Sequence, residues 1–255
     1  MGLFIADDPN VDESYRQTGF YRYRQVLSVR FAGWWQINLL TLVGFMPLTA
    51  AITFAIMTSS ILMLLPLSFL GGMIAGPFIA GLYDGILLGL RDDPLPWRER
   101  YVRALKQNWR GSLLPGGMLG LLLGLYVFMA MLFWWAEVPP SLGTICLYLF
   151  SLLIVLTANT LYWTQLVLFE QKTSIRLRNC LLFVIKYFWR SFGAGLLQLF
   201  YMTILVLFAP WTLFLLVITG IWYILFLSLL LLYDQLDEAF QIEESYEKTE
   251  KNSQK

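Results

Sequence analysis

The sequence predicts an all-α membrane protein: a polytopic helix bundle of six transmembrane helices, both termini cytoplasmic, with two basic amphipathic juxtamembrane helices. Three observations carry this. First, only 14% of the 255 residues are charged while 58% are hydrophobic; soluble domains carry about a quarter charged residues, so lipid has to do the solvating. Second, the apolar residues fall in runs long enough to cross a hydrocarbon core about 30 Å thick. Third, every Lys and Arg falls in alternate connections between those runs.

The spans follow in order. Met1 to Arg30 is polar and of mixed charge, with no apolar core ahead of a cleavage site, so the expectation is that the first span itself signals insertion. From Phe31 to Leu90 Asp84 is the sole charge. That length holds two spans, near 32–57 and 62–90, broken by Thr58, Ser59 and Ser60, with Pro66 suited to early turns of the second helix. Span three runs from Leu113 to Trp135. Glu137 and the breaker Pro139–Pro140 separate it from span four, Thr144 to Phe169. Span five covers about 191–208, Ala209–Pro210 turns the chain, and span six takes Thr212 to Tyr233. The chain thus divides into a cytoplasmic segment 1–30, a membrane domain 31–233 and an acidic tail 234–255.

Orientation comes from the basic residues. Four lie in the N-terminal segment, six between spans two and three, five between spans four and five, and three in the tail, which together are all 18. The opposite connections hold none. The positive-inside bias of short loops therefore puts both termini in the cytoplasm.

The two basic connections are alike. Arg98, Lys106, Trp109 and Arg110 recur eighty residues later as Arg178, Lys186, Trp189 and Arg190. In the first, Trp97, Tyr101, Leu105 and Trp109 recur at every fourth position, near one face of a helix. Pro94 and Pro96 set its start. Residues 97–110 and 175–190 read as helices lying in, or leaving, the inner headgroup layer, with Arg103 and its neighbours snorkelling. A duplicated helix–loop–span unit and a chance likeness both fit four matches.

Glycines are patterned at fourfold spacing: Gly72 and Gly76, then Gly81, Gly85 and Gly89, answered by Gly116, Gly120 and Gly124 in span three. Small residues at that interval let helices approach closely in lipid. The stripe reads either as a weld between spans two and three or as a sliding seam, aided by a kink at Pro77 or a loosened turn at Pro115. Asp84 lies about 10 Å from Arg91 along a helix, so it is shallow. It reads either as a cation or proton site or as an acid held by Arg91, Arg110 or interfacial water. Gln36, Asn38, Thr157, Asn159, Thr160, Thr164, Gln165 and Gln198 are further polar residues expected inside the bundle. Thr157, Thr160 and Thr164 share one face of span four. They are expected to bond helices together, with a polar path through Asp84, Thr157, Asn159 and Thr160 as the alternative.

Chemistry is sparse. There is no His, which removes the commonest general base and neutral metal ligand. No HExxH, GxSxG, Walker loop or dinucleotide-binding GxGxxG is present, so no catalytic, cofactor or metal residue is assigned. A net charge of +1 gives no field for nucleic acid. Cys146 and Cys180 fall at opposite faces of the membrane, too far apart for a disulfide, and are expected to be packed apolar residues. The cytoplasmic EAA…G loop of sugar-importer permeases is absent.

One stretch resembles a known family. Gly76-Pro77-Phe78-Ile79-Ala80-Gly81-Leu82-Tyr83, then Arg91, then Trp97, Tyr101 and Ala104-Leu105-Lys106-Gln107-Asn108-Trp109-Arg110 are similar to the YesL-like family of bacterial membrane proteins. Asn38-Leu39-Leu40 and Met46-Pro47-Leu48-Thr49 look like that family's opening span. The resemblance covers about residues 30–115, and the rest in layout. It implies a small multi-span plasma-membrane protein with no established activity, encoded near carbohydrate ABC importers. An accessory or regulatory role in carbohydrate uptake, without enzymatic activity, is the resulting expectation. A small secondary transporter with Asp84 near its path is the alternative. Membrane lipids and such an importer are the expected partners; the oligomeric state is left open.

Overall fold

The structure, a computed structural model, describes residues 19–58, 60–91, 96–135, 139–208 and 211–242. Most of the 1–30 segment, Pro94, Glu137, Ala209–Pro210 and most of the acidic tail lie outside them. Among the described residues six helices are long and apolar enough to cross a membrane. The chain is a multi-pass membrane protein by helix length and hydropathy.

Helix α1 (Gly19–Met57) and helix α3 (Trp97–Trp135) each have 39 residues. At 1.5 Å per residue each is about 58 Å long, nearly twice the hydrocarbon core. Both therefore carry a polar extension on an apolar span. Helix α2 (Ile61–Leu90) passes through Pro66 and Pro77 without interruption. The sequence reading separates residues 97–110 from span three, and the structure joins them. No residue between Arg110 and Leu113 stops a helix, and the Pro115 ring is accommodated within it. Helix α4 (Leu142–Leu168) starts where the Ser141 hydroxyl accepts from Thr144 N at 3.2 Å, which satisfies an otherwise orphaned donor.

The second basic stretch is two helices. Helix α5 (Thr173–Lys186) stops at Tyr187, whose φ −115°, ψ 43° is not helical, and helix α6 (Phe188–Leu207) starts beyond it. Trp189 and Arg190, expected within a helix 175–190, belong to α6. The two basic stretches thus share composition and differ in backbone.

Span six is also corrected. It is broken into helix α7 (Leu213–Ile218) and helix α8 (Gly220–Phe240). Gly220 takes φ +53°, a left-handed conformation that glycine adopts without steric cost. Breaking a helix at membrane depth exposes backbone groups where water cannot reach them, which is tolerated only if protein satisfies them. Here it does. The Asn38 side chain of α1 donates to Leu216 O at 3.1 Å and accepts from Ile221 N at 3.1 Å. Trp35 Nε1 donates to Val217 O at 2.8 Å, and the Tyr201 hydroxyl donates to Gly220 O at 2.8 Å.

The spans pack around α2 and α8, which are the most enclosed, while α4 is the least. Helix α1 bridges both. Its Trp34 donates to Gly85 O of α2 at 3.0 Å and packs on Trp222 and Phe226 of α8, with ring centroids 5.6 and 4.7 Å away. Nearer the start of α1, the Tyr23 and Tyr223 hydroxyls share a hydrogen bond of 3.0 Å. Arg22 is 6% exposed, and its guanidinium donates to Leu90 O. A cation thus sits on the negative end of the α2 dipole.

Candidate functional site

Three groupings of residues have chemistry. The first is a pair of basic helix surfaces, one on α3 and one, also apolar, on α5 and the start of α6. On α3, Arg98, Arg103, Lys106, Trp109 and Arg110 are all exposed. Their stripe-mates Trp97 and Tyr101 turn inward: Tyr101 is buried against Gly81, and Trp97 packs on Gly33. The aromatic row is therefore a packing seam at its start and a surface only from Trp109. On α5 and the start of α6, Arg178, Lys186, Trp189 and Arg190 are exposed together with Leu177, Leu181, Leu182 and Ile185. Trp189 is 81% exposed. The buried side of α5 is narrow: Cys180 and Phe183 anchor it.

That anchoring is specific. Phe183 stacks on Phe240 of α8 with centroids 6.1 Å apart. Lys186 Nζ lies 3.2 Å from Glu238 Oε1 and 4.7 Å from the Tyr187 ring, a solvent-exposed pair of small energetic worth. Arg176 donates to Phe169 O at 3.2 Å, capping the end of α4. Gln165 Nε2 donates to Cys180 Sγ at 3.2 Å, and burial pushes the Cys180 thiol up to about 11. Cys180 is packed as expected. Cys146 is not: it is exposed on α4, where the outward face of a span meets lipid.

The second grouping is a buried polar knot. Thr160 and Ser228 each donate their hydroxyl proton back along their own helix, to Leu156 O at 3.0 Å and Ile224 O at 2.8 Å. Their lone pairs are then open to neighbours. Gln198 of α6 donates to both, at 2.9 and 3.2 Å, and the Tyr83 hydroxyl of α2 donates to Thr160 at 3.5 Å. Four helices meet at these side chains, none of them more than 4% exposed. Thr157 lies one turn away, its hydroxyl 3.3 Å from Ser191 O. Asn159 points elsewhere, accepting from Trp163 Nε1 at 2.8 Å. Gln36 is exposed, contrary to the sequence reading; it sits about 200° round α1 from buried Asn38, so both cannot face inward. Asp84 is half-buried on α2 and already takes part in a polar or electrostatic contact.

The third grouping is the glycine seam. A Cβ on Gly116 would stand 2.7 Å from the Gly76 Cα, and one on Gly120 2.7 Å from the Gly72 Cα. The backbones of α2 and α3 are therefore in direct contact. Gly124 faces Ser68 of α2. The stripe then divides: Gly81 faces Tyr101 of α3, whereas Gly85 and Gly89 face Ile37 and Trp34 of α1. One helix thus uses the same spacing to hold two neighbours.

Several residues escape sequence reasoning. Gly220 sits in an apolar run, and its one signal is an isolated glycine after Thr219. Ser228 looks like an ordinary span residue, and Tyr83 enters the sequence reading only through the stretch that carries the resemblance, with no sign of a buried hydroxyl. Arg30 and Arg100, counted only as loop charges, line a common cleft. No family model, no curated protein and no solved structure matches the chain.

Proposed function

We propose that the protein is a non-enzymatic accessory or regulatory component of a bacterial plasma membrane, of the YesL-like kind, that works beside a carbohydrate ABC importer. In this reading both termini are cytoplasmic and the bases of α3 and α5 face anionic headgroups or the partner's cytoplasmic surface. The supporting observation is the surface of α5 and early α3. Both helices carry exposed bases, and on α5 and the start of α6 these accompany exposed Leu177, Leu181, Ile185 and Trp189, a pairing suited to an interface where one side is apolar and the other charged. Each base near an anionic surface contributes about 1 kcal/mol. The carbohydrate link rests on the resemblance of residues 76–110. Pull-down of the tagged chain from native membranes in gentle detergent should recover a transporter subunit, and Arg103→Glu with Lys106→Glu should reduce the yield. Recovery of no transporter subunit overturns the reading.

A second reading, a small transporter, is favoured by the break between α7 and α8, since discontinuous helices build many solute sites. Against it, Trp35, Asn38 and Tyr201 already satisfy that break, and the Thr160 knot is closed. Vesicles holding the protein should take up a solute and lose uptake with Asp84→Asn; equal leak in both discards the idea.

A further inference from the structure

We propose that the cleft where α1 crosses the end of α2 and the start of α3 binds a phosphate-bearing group, held by Arg30 and Arg100 between the Trp34 and Trp97 indoles. The cavity measures about 210 Å³. Drug-sized ligands occupy pockets of about 300–1,000 Å³, so this one takes a small polar group rather than a whole metabolite.

Its walls suit an anion. Arg30 and Arg100 come from different helices and converge on the one space, and no carboxylate is among its described lining residues. Two guanidinium groups offer planar forks that match phosphate oxygens. Trp97 packs against Gly33 and Trp34 against Gly89, so both indoles are fixed before any ligand arrives. Tryptophans near the ends of spans are side chains that mark the headgroup zone, and basic pockets between spans are recurrent headgroup sites.

Both arginines already have interaction partners, and Asp84 adjoins Gly85 in the wall. A phosphate therefore competes with those partners, and binding is weak rather than tight. The site does not depend on the accessory role proposed above. The residues named there lie on outward faces of α3 and α5, and none of them lines this cleft.

The test is calorimetric titration of the full-length chain in non-ionic detergent. The probes are dihexanoylphosphatidylglycerol, dihexanoylglycerol and inorganic phosphate. Saturable binding of the phosphatidylglycerol but not of the phosphate-free glycerolipid is expected. Arg30→Gln and Arg100→Gln should each weaken it at least tenfold, and exposed Arg103→Gln less than twofold. Arg30→Lys, which keeps the charge and loses the fork, gives an intermediate loss should either glutamine variant fail to fold. Binding of inorganic phosphate with the same arginine dependence also supports the site and assigns it to soluble phosphate compounds. Equal binding of the phosphate-free lipid, an equal loss with Arg103→Gln, or no binding of either phosphate probe overturns the proposal.

Discussion

Replacing Asn38 by Leu tests the physical logic of the broken span most sharply. Leucine keeps the same branched heavy-atom skeleton with bulkier methyl ends, so the shape is nearly kept and the effect falls chiefly on hydrogen bonds. Two are lost, to Leu216 O and from Ile221 N, each 3.1 Å long. Interhelical bonds in membranes average about 0.6 kcal/mol, which sets a floor near 1 kcal/mol. A buried polar group left unpaired costs about 1–3 kcal/mol, and here two backbone groups are left in a region without water. We place the loss at about 2–4 kcal/mol, above the floor because neither backbone group has another nearby donor or acceptor in its own helix. Equilibrium unfolding in mixed micelles measures it, with exposed Gln36→Leu as the control expected to stay within about 0.5 kcal/mol. Gly220→Ala should also destabilise, through its φ of +53° and through collision of the new Cβ with the Asn38 carboxamide. Because both changes act on one contact, the double variant Asn38→Ala/Gly220→Ala should lose less than the two singles together. Asn38→Leu unfolding at the wild-type denaturant concentration would refute the view that α1 plugs the break.

Three further outcomes are expected. Gly116→Leu should separate α2 from α3 and cost at least the roughly 1–3 kcal/mol of an overpacked core, whereas Gly111→Ala, which meets nothing within 4 Å, should gain about 0.5–1 kcal/mol from backbone entropy; the same unfolding assay reads both. Gln198→Leu should weaken the bundle by about 1–2 kcal/mol through its two bonds, and a change in membrane permeability without loss of stability would contradict the closed knot. The folded Cys180 thiol titrates at about 11 rather than the ordinary 9.0. The stability tied to its neutral form is whole below pH 9.0 and is lost between 9.0 and about 11. The fall of stability over that window should therefore be steeper in the wild type than in Cys180→Ser, and alkylation of Cys180 at pH 8 should require unfolding.

What the sequence made legible follows the strength of the local signal. Spans two and four are found within two residues of α2 and α4, because Thr58–Ser60, Pro139–Pro140 and the charges at Arg91 and Glu170 bound them sharply. The merger of 97–110 with span three was hidden because amphipathic and apolar periodicity are continuous through Gly111 and Ser112, and periodicity says nothing of where lipid begins. The breaks at Tyr187 and Gly220 are tertiary. Neither sequence forbids a helix, and neighbours pack on each break: Phe183, itself stacked on Phe240, beside Tyr187, and Asn38 and Tyr201 beside Gly220. The glycine spacing announced a close approach, yet only geometry reveals that Gly85 and Gly89 serve α1 rather than α3. Arg30 and Arg100 converge from positions seventy apart, which no local pattern encodes.

The arrangement stands or falls on which side of the bilayer the basic connections lie. Single cysteines at Arg103, Lys172 and Ser141, placed in a chain carrying Cys146→Ser and Cys180→Ser, are exposed to a membrane-impermeant maleimide on intact cells. Labelling of the Ser141 position from outside, with Arg103 and Lys172 reached only after permeabilisation, is the expected pattern. Labelling of Arg103 or Lys172 on unbroken cells contradicts six crossings with every Lys and Arg on the cytoplasmic face.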